Sequence, residues 1–267
     1  MGKLIIHADD YGISHEVNMA IKDGITKGFI DRATLMVNMP YAKEAVEMAK
    51  EGGYLEKIGL HLNLVEGCPL TEEIKKTWLC SNGAFNGEIS NKKYKMGLIR
   101  DKMVLLCIEQ EIDAQMKKFL SWNMPLHHVD SHQHSHIKPS IFPIALKLAN
   151  KNGFTSIRLA SIIPSDSPIL PVKIYKGYVN SKFKNFNINH RERHTIFPII
   201  DVGCAYLSLK RQIDIDKGKF LCAHNVEMWF HPSIVNGKII NLFCDAPFSV
   251  EDLIEFKRIS AGNNNEN

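Results

Sequence analysis

The sequence predicts an α/β fold, with a parallel sheet closed or nearly closed into a (β/α) barrel. Three observations carry that expectation. Short apolar runs alternate with amphipathic segments, the rhythm of βαβ units. The chain has 267 residues, enough for one large barrel. Four polar clusters stand immediately after predicted strands, at the end of a barrel where the chain leaves the sheet and active sites assemble.

The elements follow in order. Residues 3–8 read as a buried strand. Ser14 caps a helix to about residue 27, with Val17, Ala20, Ile21 and Ile25 on one face. Residues 33–37 form a second strand, and 41–51 a helix with Ala42, Ala45, Val46 and Ala49 inward. Residues 58–64 form a third strand, 100–120 a long helix, and 126–129 a strand. A helix at 140–150, a strand at 156–159, a strand at 222–230 and a helix at 249–259 complete the pattern. Two stretches, 66–96 and 161–198, interrupt it as long loops. The first carries Gly67, Trp78, Phe85 and Tyr94. The second carries Pro164, Pro168, Pro171 and Pro198, with basic residues from Lys173 to Arg193. Connections of this length are often lids or binding loops, or else insertions and dimer contacts. The expected organisation is one domain over 1–262 with a frayed polar tail at 263–267.

Composition narrows the function classes. A net charge of +4 and a pI near 8.6 are too mild by themselves to imply nucleic acid. No run reaches the roughly 18 apolar residues of a membrane span, and the opening apolar stretch is too short for a signal peptide. Cys68, Cys80, Cys107, Cys204, Cys222 and Cys244 form no C-x-x-C pair, as expected of reduced thiols in a cytoplasmic protein. A homodimer is compatible with all of this.

The clusters carry the chemistry. The first is His7-Ala8-Asp9-Asp10-Tyr11-Gly12. Adjacent strand residues point in opposite directions, so one carboxylate can bind a cation while the other stays free as a base. The bland reading is a turn or helix cap. His61 lies between Leu60 and Leu62, where a lone histidine is usually a hydrogen-bonded core residue. The run 127–136 holds five histidines and Asp130. In an extended chain His132, His134 and His136 would share one face, and imidazole is the commonest side-chain metal ligand. Asp130 is placed to orient a ligating imidazole. The fourth cluster is Glu227-Met228-Trp229-Phe230-His231-Pro232. One Asp and two His leave coordination positions open for water and substrate, the form of a catalytic site. No phosphate-cradling glycine loop, G-x-S-x-G or H-E-x-x-H is present.

Taken together these motifs resemble the YdjC-like (ChbG-type) carbohydrate deacetylase family, related to the NodB-type polysaccharide deacetylases. The matching residues are Ala8-Asp9-Asp10-Tyr11-Gly12 with Asn18, Gly59-Leu60-His61-Leu62, His128 through His134, Arg158 and His231-Pro232. The resemblance implies an irregular, TIM-barrel-like (β/α) barrel of about seven parallel strands. It implies one divalent metal ion and deacetylation of N-acetylated carbohydrates such as chitooligosaccharides. By the same resemblance Asp10, His61 and His132 are the metal ligands, Asp9 the general base and His231 the general acid. Arg158 holds the base ionised, and Asp130 and His134 are supporting or substrate-contacting residues. Where the family often has Cys before and Gly after the late His-Pro, this chain has Phe230 and Ser233. The resemblance points to magnesium, whereas two imidazoles and a carboxylate suit zinc or another transition metal better. The rival readings are hydrolysis of another amide or a phosphoester, and a non-catalytic sugar- or nucleic-acid-binding protein.

Overall fold

The computed structural model describes residues 2–91, 98–166, 168–191, 197–242 and 248–262. Tyr94, Arg193, Cys244 and the tail 263–267 lie outside them. Seven parallel strands form one sheet. They are β1 (Leu4–Tyr11), β2 (Arg32–Leu35), β3 (Ile58–Leu62), β6 (His128–Ser131), β7 (Ser156–Ile157), β8 (Val202–Ala205) and β9 (Val226–Phe230), in the order β7-β6-β3-β2-β1-β9-β8. The sheet's two ends meet through a single parallel bridge between Ser161 and Gly203. That approach needs a glycine. A Cβ on Gly203 would lie 2.9 Å from both the Leu159 carbonyl oxygen and the Trp229 ring.

Helices α1 (His15–Thr26), α2 (Ala42–Glu51), α4 (Lys102–Ser121), α5 (Phe142–Lys151), α6 (Leu170–Asn189), α7 (Tyr206–Asp216) and α9 (Val250–Ser260) accompany the strands. Short pieces complete the chain: α3 (Glu72–Lys75), the hairpin β4 (Cys80–Ser81) and β5 (Ala84–Phe85), α8 (Lys219–Ala223), and the hairpin β10 (Pro232–Val235) and β11 (Lys238–Asn241). The Ser14 cap forms as expected, its hydroxyl accepting from the Val17 amide at 3.3 Å.

The expected elements recur with ends shifted by a few residues, but the long loops do not survive as loops. Most of 161–198 is the 20-residue helix α6. Pro171 sits in its first turn, where a missing N–H goes unnoticed. Its buried residues Val179, Phe183 and Phe186 follow helical spacing, hidden in the sequence by many polar and basic neighbours. The stretch 66–96 contains α3 and the β4–β5 hairpin. The strand expected over 222–230 begins only at Val226, because Cys222 belongs to α8. The short β8 and the helix α7 are additional to the expected elements.

The two faces of the sheet differ in chemistry. Along β1, Ile6 and Ala8 are buried among apolar side chains, while His7 and Asp9 meet polar partners from other strands. Arg32, Thr34, His61, His128, Asp130, Arg158 and Glu227 join them, all buried. Barrel interiors are ordinarily packed with branched apolar residues. This one is filled by ion pairs, and buried charges persist only where they are paired.

Candidate active site

The site begins with a fault in β1. Asp10 has a left-handed backbone (φ 66°), and the register against β2 shifts between Ala8 and Tyr11. Such a conformation is strained for a non-glycine residue and needs support from its surroundings. The support is visible. Asn18 Oδ1 accepts from the Gly12 amide at 2.8 Å, and its Nδ2 donates to the Tyr41 carbonyl. The Tyr11 hydroxyl donates to the Ala45 carbonyl at 2.8 Å. The consequence overturns simple strand alternation. Asp9 and Asp10 do not point to opposite faces. His231 Nε2 lies 3.8 Å from an Asp9 oxygen and 4.0 Å from an Asp10 oxygen, so both carboxylates open on one pocket.

Asp10 Oδ1 lies 3.2 Å from His61 Nε2 and 2.8 Å from His132 Nδ1. These separations suit neighbouring corners of a coordination sphere with bonds of ~2.0–2.1 Å. His61 Nε2 is buried and, among the described residues, makes no well-aligned hydrogen bond; its near neighbour is Asp10 Oδ1, so the atom is available to an ion held between the two. The other nitrogen of that ring meets Asp130 Oδ1 at 2.6 Å, and Thr34 Oγ1 donates to Asp130 Oδ2 at 3.0 Å. A carboxylate behind a ligating imidazole sets its tautomer and raises its basicity. The donors therefore fit a divalent ion.

Two other groupings within ligand reach fit less well. In His7, His128, Asp130 and Glu227, the carboxylate of Glu227 already meets Arg32 Nη2 at 2.8 Å and Arg158 Nε at 2.9 Å. In Asp9, His61 and Asp130, both Asp9 oxygens accept from Arg158, at 2.7 and 2.8 Å. Guanidiniums occupy those carboxylates and would repel a further cation.

Charge counting agrees. Apart from Glu111 on α4, the buried carboxylates among the described residues are Asp9, Asp10, Asp130 and Glu227, against two buried guanidiniums, Arg32 and Arg158. Two negative charges are left over. With no metal bound, protons on His61 and His132 supply the balance. Burial lowers the His61 pKa, but the charge of Asp130 and the contact with Asp10 outweigh it, giving a value of about 10. Burial also opposes His132, and its contacts with Asp10 and Glu66 raise it to about 9. Burial works against the ionised form of Asp9 too, and the guanidinium of Arg158 overcomes it, so the carboxyl stays below its usual range. A divalent ion would replace the two imidazole protons without changing the net charge.

The histidine run 127–136 is not extended. Gln133 and His134 are left-handed (φ 48° and 52°), and the chain turns within it. His132, His134 and His136 therefore do not share one face. His136 accepts from the Ser131 hydroxyl at 2.6 Å, donates to the Arg158 carbonyl, and stacks on Phe183. His134 packs edge-on against Trp229, 5.0 Å between centroids. Burial, then the charges of His136 and Arg158, lower its pKa to about 3. His134 is in none of the groupings within ligand reach among the described residues. The Arg158 guanidinium lies over the Trp229 ring, 5.0 Å from its centroid.

The sequence places His7 and Glu227 in the polar clusters but assigns them no role, and it does not mark Arg32, Thr34 or Glu66. The signal for Arg32 and Thr34 was present as polar residues alternating with Ala33 and Leu35 on a wholly buried strand.

The comparisons with known proteins agree with this geometry. A family model described as YdjC-like protein matches residues 3–258. The chain is 36% identical over 227 residues to a protein of Geobacillus stearothermophilus named carbohydrate deacetylase, covering 84% of this chain and 86% of that one. It is 29% identical over 245 residues to a protein of the same name from Clostridium beijerinckii, covering 90% and 84%. A crystal structure from Enterococcus faecalis V583, provisionally described as a cellobiose-phosphate cleavage protein, superposes with a TM-score of 0.63 at 22% identity. It covers 88% of this chain and 82% of that one, and it supports the fold alone. By the match over 3–258 and by the Geobacillus relative, this chain belongs to the YdjC-like protein family.

Proposed function

We propose that this protein is a metal-dependent hydrolase that removes the acetyl group from N-acetylated carbohydrates of the chitooligosaccharide type, releasing acetate and a free amine. The observation that carries the reading is one mouth shared by three kinds of group. These are the Asp10, His61 and His132 donors, the arginine-held Asp9, and the partly exposed His231. Relatives named carbohydrate deacetylase support the substrate class.

Asp10, His61 and His132 would hold a divalent ion, which would supply Lewis acidity toward the acetyl carbonyl and an attacking water. The chain's own residues do the rest. Asp9, kept ionised by Arg158, takes the proton of the attacking water. His231, 28% exposed at the rim, protonates the departing nitrogen. Asp9 Oδ2 and His231 Nε2 are 3.8 Å apart, too far for a direct hydrogen bond but close enough for one water or substrate atom to bridge them. Trp229, beneath Arg158 and beside His134, forms an apolar wall that strengthens these charges.

The decisive experiment is mass spectrometry of N-acetylglucosamine oligomers incubated with metal-loaded protein, with a panel of phosphoesters alongside. Loss of an acetyl group is expected. Phosphoester cleavage with intact acetyl groups would sink the proposal.

The ligand chemistry yields a prediction about the ion. Zinc is expected to bind more tightly than magnesium, because two of the three donors are imidazoles. Below pH about 9 both ligand histidines carry protons that the ion must displace. Affinity should then rise by about 100-fold per pH unit and level off above pH about 10. Competition titrations at several pH values measure both. Tighter magnesium binding, or affinity independent of pH, would contradict the assignment.

A further inference from the structure

We infer that Glu66 is a positioning residue for His132, serving it as Asp130 serves His61; the inference rests on the metal site proposed above. The two candidate ligand histidines are arranged alike. Each directs one ring nitrogen at Asp10 Oδ1, at 3.2 Å for His61 and 2.8 Å for His132. Each directs its other nitrogen at a carboxylate. His61 Nδ1 meets Asp130 Oδ1 at 2.6 Å, and His132 Nε2 meets Glu66 Oε1 at 2.8 Å. The two carboxylates come from different parts of the chain. Asp130 lies on β6 and is wholly buried, whereas Glu66 follows β3 and its side chain is 43% exposed at the mouth.

An exposed carboxylate holds a ring only if its backbone is fixed, and a chain of buried amides does this. Asn63 Oδ1 accepts from the Val65 and Glu66 amides at 3.0 and 3.2 Å. Asn63 Nδ2 donates to the Glu66 carbonyl at 2.8 Å. The backbone of Asn63 is in turn gripped by the Gln115 side chain of α4, which accepts from its N–H at 2.9 Å and donates to its carbonyl at 2.7 Å. Gln115 also donates to Glu111, and Glu111 accepts from the Leu70 and Thr71 amides on the far side of the same loop. Asn63, Gln115 and Glu111 are all buried. The loop thus enters and leaves Glu66 under side-chain control from one helix. That accounts for three buried polar residues which no catalytic step requires.

The pairing makes Glu66 act in two ways. Its charge raises the basicity of His132, and its position directs Nε2–H outward so that Nδ1 faces Asp10. Glutamine keeps an acceptor oxygen but loses the charge, and alanine loses both. Carboxylates behind ligating histidines are typically worth about 10- to 100-fold in metal affinity.

The test compares wild type, Glu66→Gln, Glu66→Ala and His61→Ala as purified full-length proteins. Zinc affinity is measured by chelator competition, and the visible spectrum is recorded after cobalt substitution. Glu66→Ala is expected to weaken zinc about 10- to 100-fold and to alter the cobalt spectrum. Glu66→Gln should fall between it and wild type. If Glu66→Ala binds zinc within twofold of wild type while His61→Ala loses it, Glu66 has no positioning role and the metal site stands. If His61→Ala also keeps wild-type affinity, the metal site itself is wrong and the inference falls with it.

Discussion

Asp9→Asn is expected to lower turnover by about 10²- to 10⁴-fold while leaving metal content near that of wild type. Asp9 accepts from Arg158 through both oxygens and stands 3.8 Å from His231, so the substitution would remove the proposed base without touching a proposed ligand. Asp10→Asn is expected to do something different. Asp10 Oδ1 is the atom on which both proposed ligand histidines converge, and a neutral amide binds a cation poorly. Metal content and turnover should fall together. Measuring both quantities on the same preparations separates the two carboxylates. Metal lost from Asp9→Asn and kept by Asp10→Asn would reverse the roles.

Arg158→Met should be the most damaging substitution for stability. The guanidinium is fully buried and meets Asp9, Asp130 and Glu227 at 2.5–2.9 Å. Methionine fills much of the volume and leaves three buried carboxylates short of a counter-charge. Breaking a buried ion pair by removing one partner typically destabilises by about 3–5 kcal/mol. For a domain of this size that is a fall in Tm of roughly 10 °C. Zinc should not rescue the variant, because the proposed site lies on the Asp10 side of the cluster, where Arg158 takes no part. Thermal unfolding of the two proteins decides the matter, and a Tm within two degrees of wild type would show that the network is dispensable.

Periodicity alone makes much of the barrel legible in the sequence. Residues such as Val17, Ala20 and Ile21, or Ala45, Val46 and Ala49, declare a buried helix face by spacing alone, and those faces are buried as expected. It failed on α6. There Pro164, Pro168 and Pro171 suggested irregular chain, and exposed Ile174, Tyr178 and Ile188 blurred the spacing of Val179, Phe183 and Phe186. It failed again on β8, where four residues around Gly203 carry too little pattern to read.

The candidate site divides along the same line. By itself the sequence determined which residue types stand at the ends of β1, β3 and β6, because a polar cluster closing an apolar run is a local pattern. Only the tertiary structure decided what they face. One left-handed residue, Asp10, swings two adjacent carboxylates into a common pocket, and two more at Gln133 and His134 scatter a histidine run that would otherwise share a face. Arg32, Glu227 and Glu66 found their partners across separations that no spacing rule spans. The physical reason is that side-chain direction follows from local backbone dihedrals and strand register, whereas charge pairing depends on which distant groups the closed sheet brings within 3 Å. Local sequence encodes the first only where the backbone is regular. The second exists only once the barrel has formed.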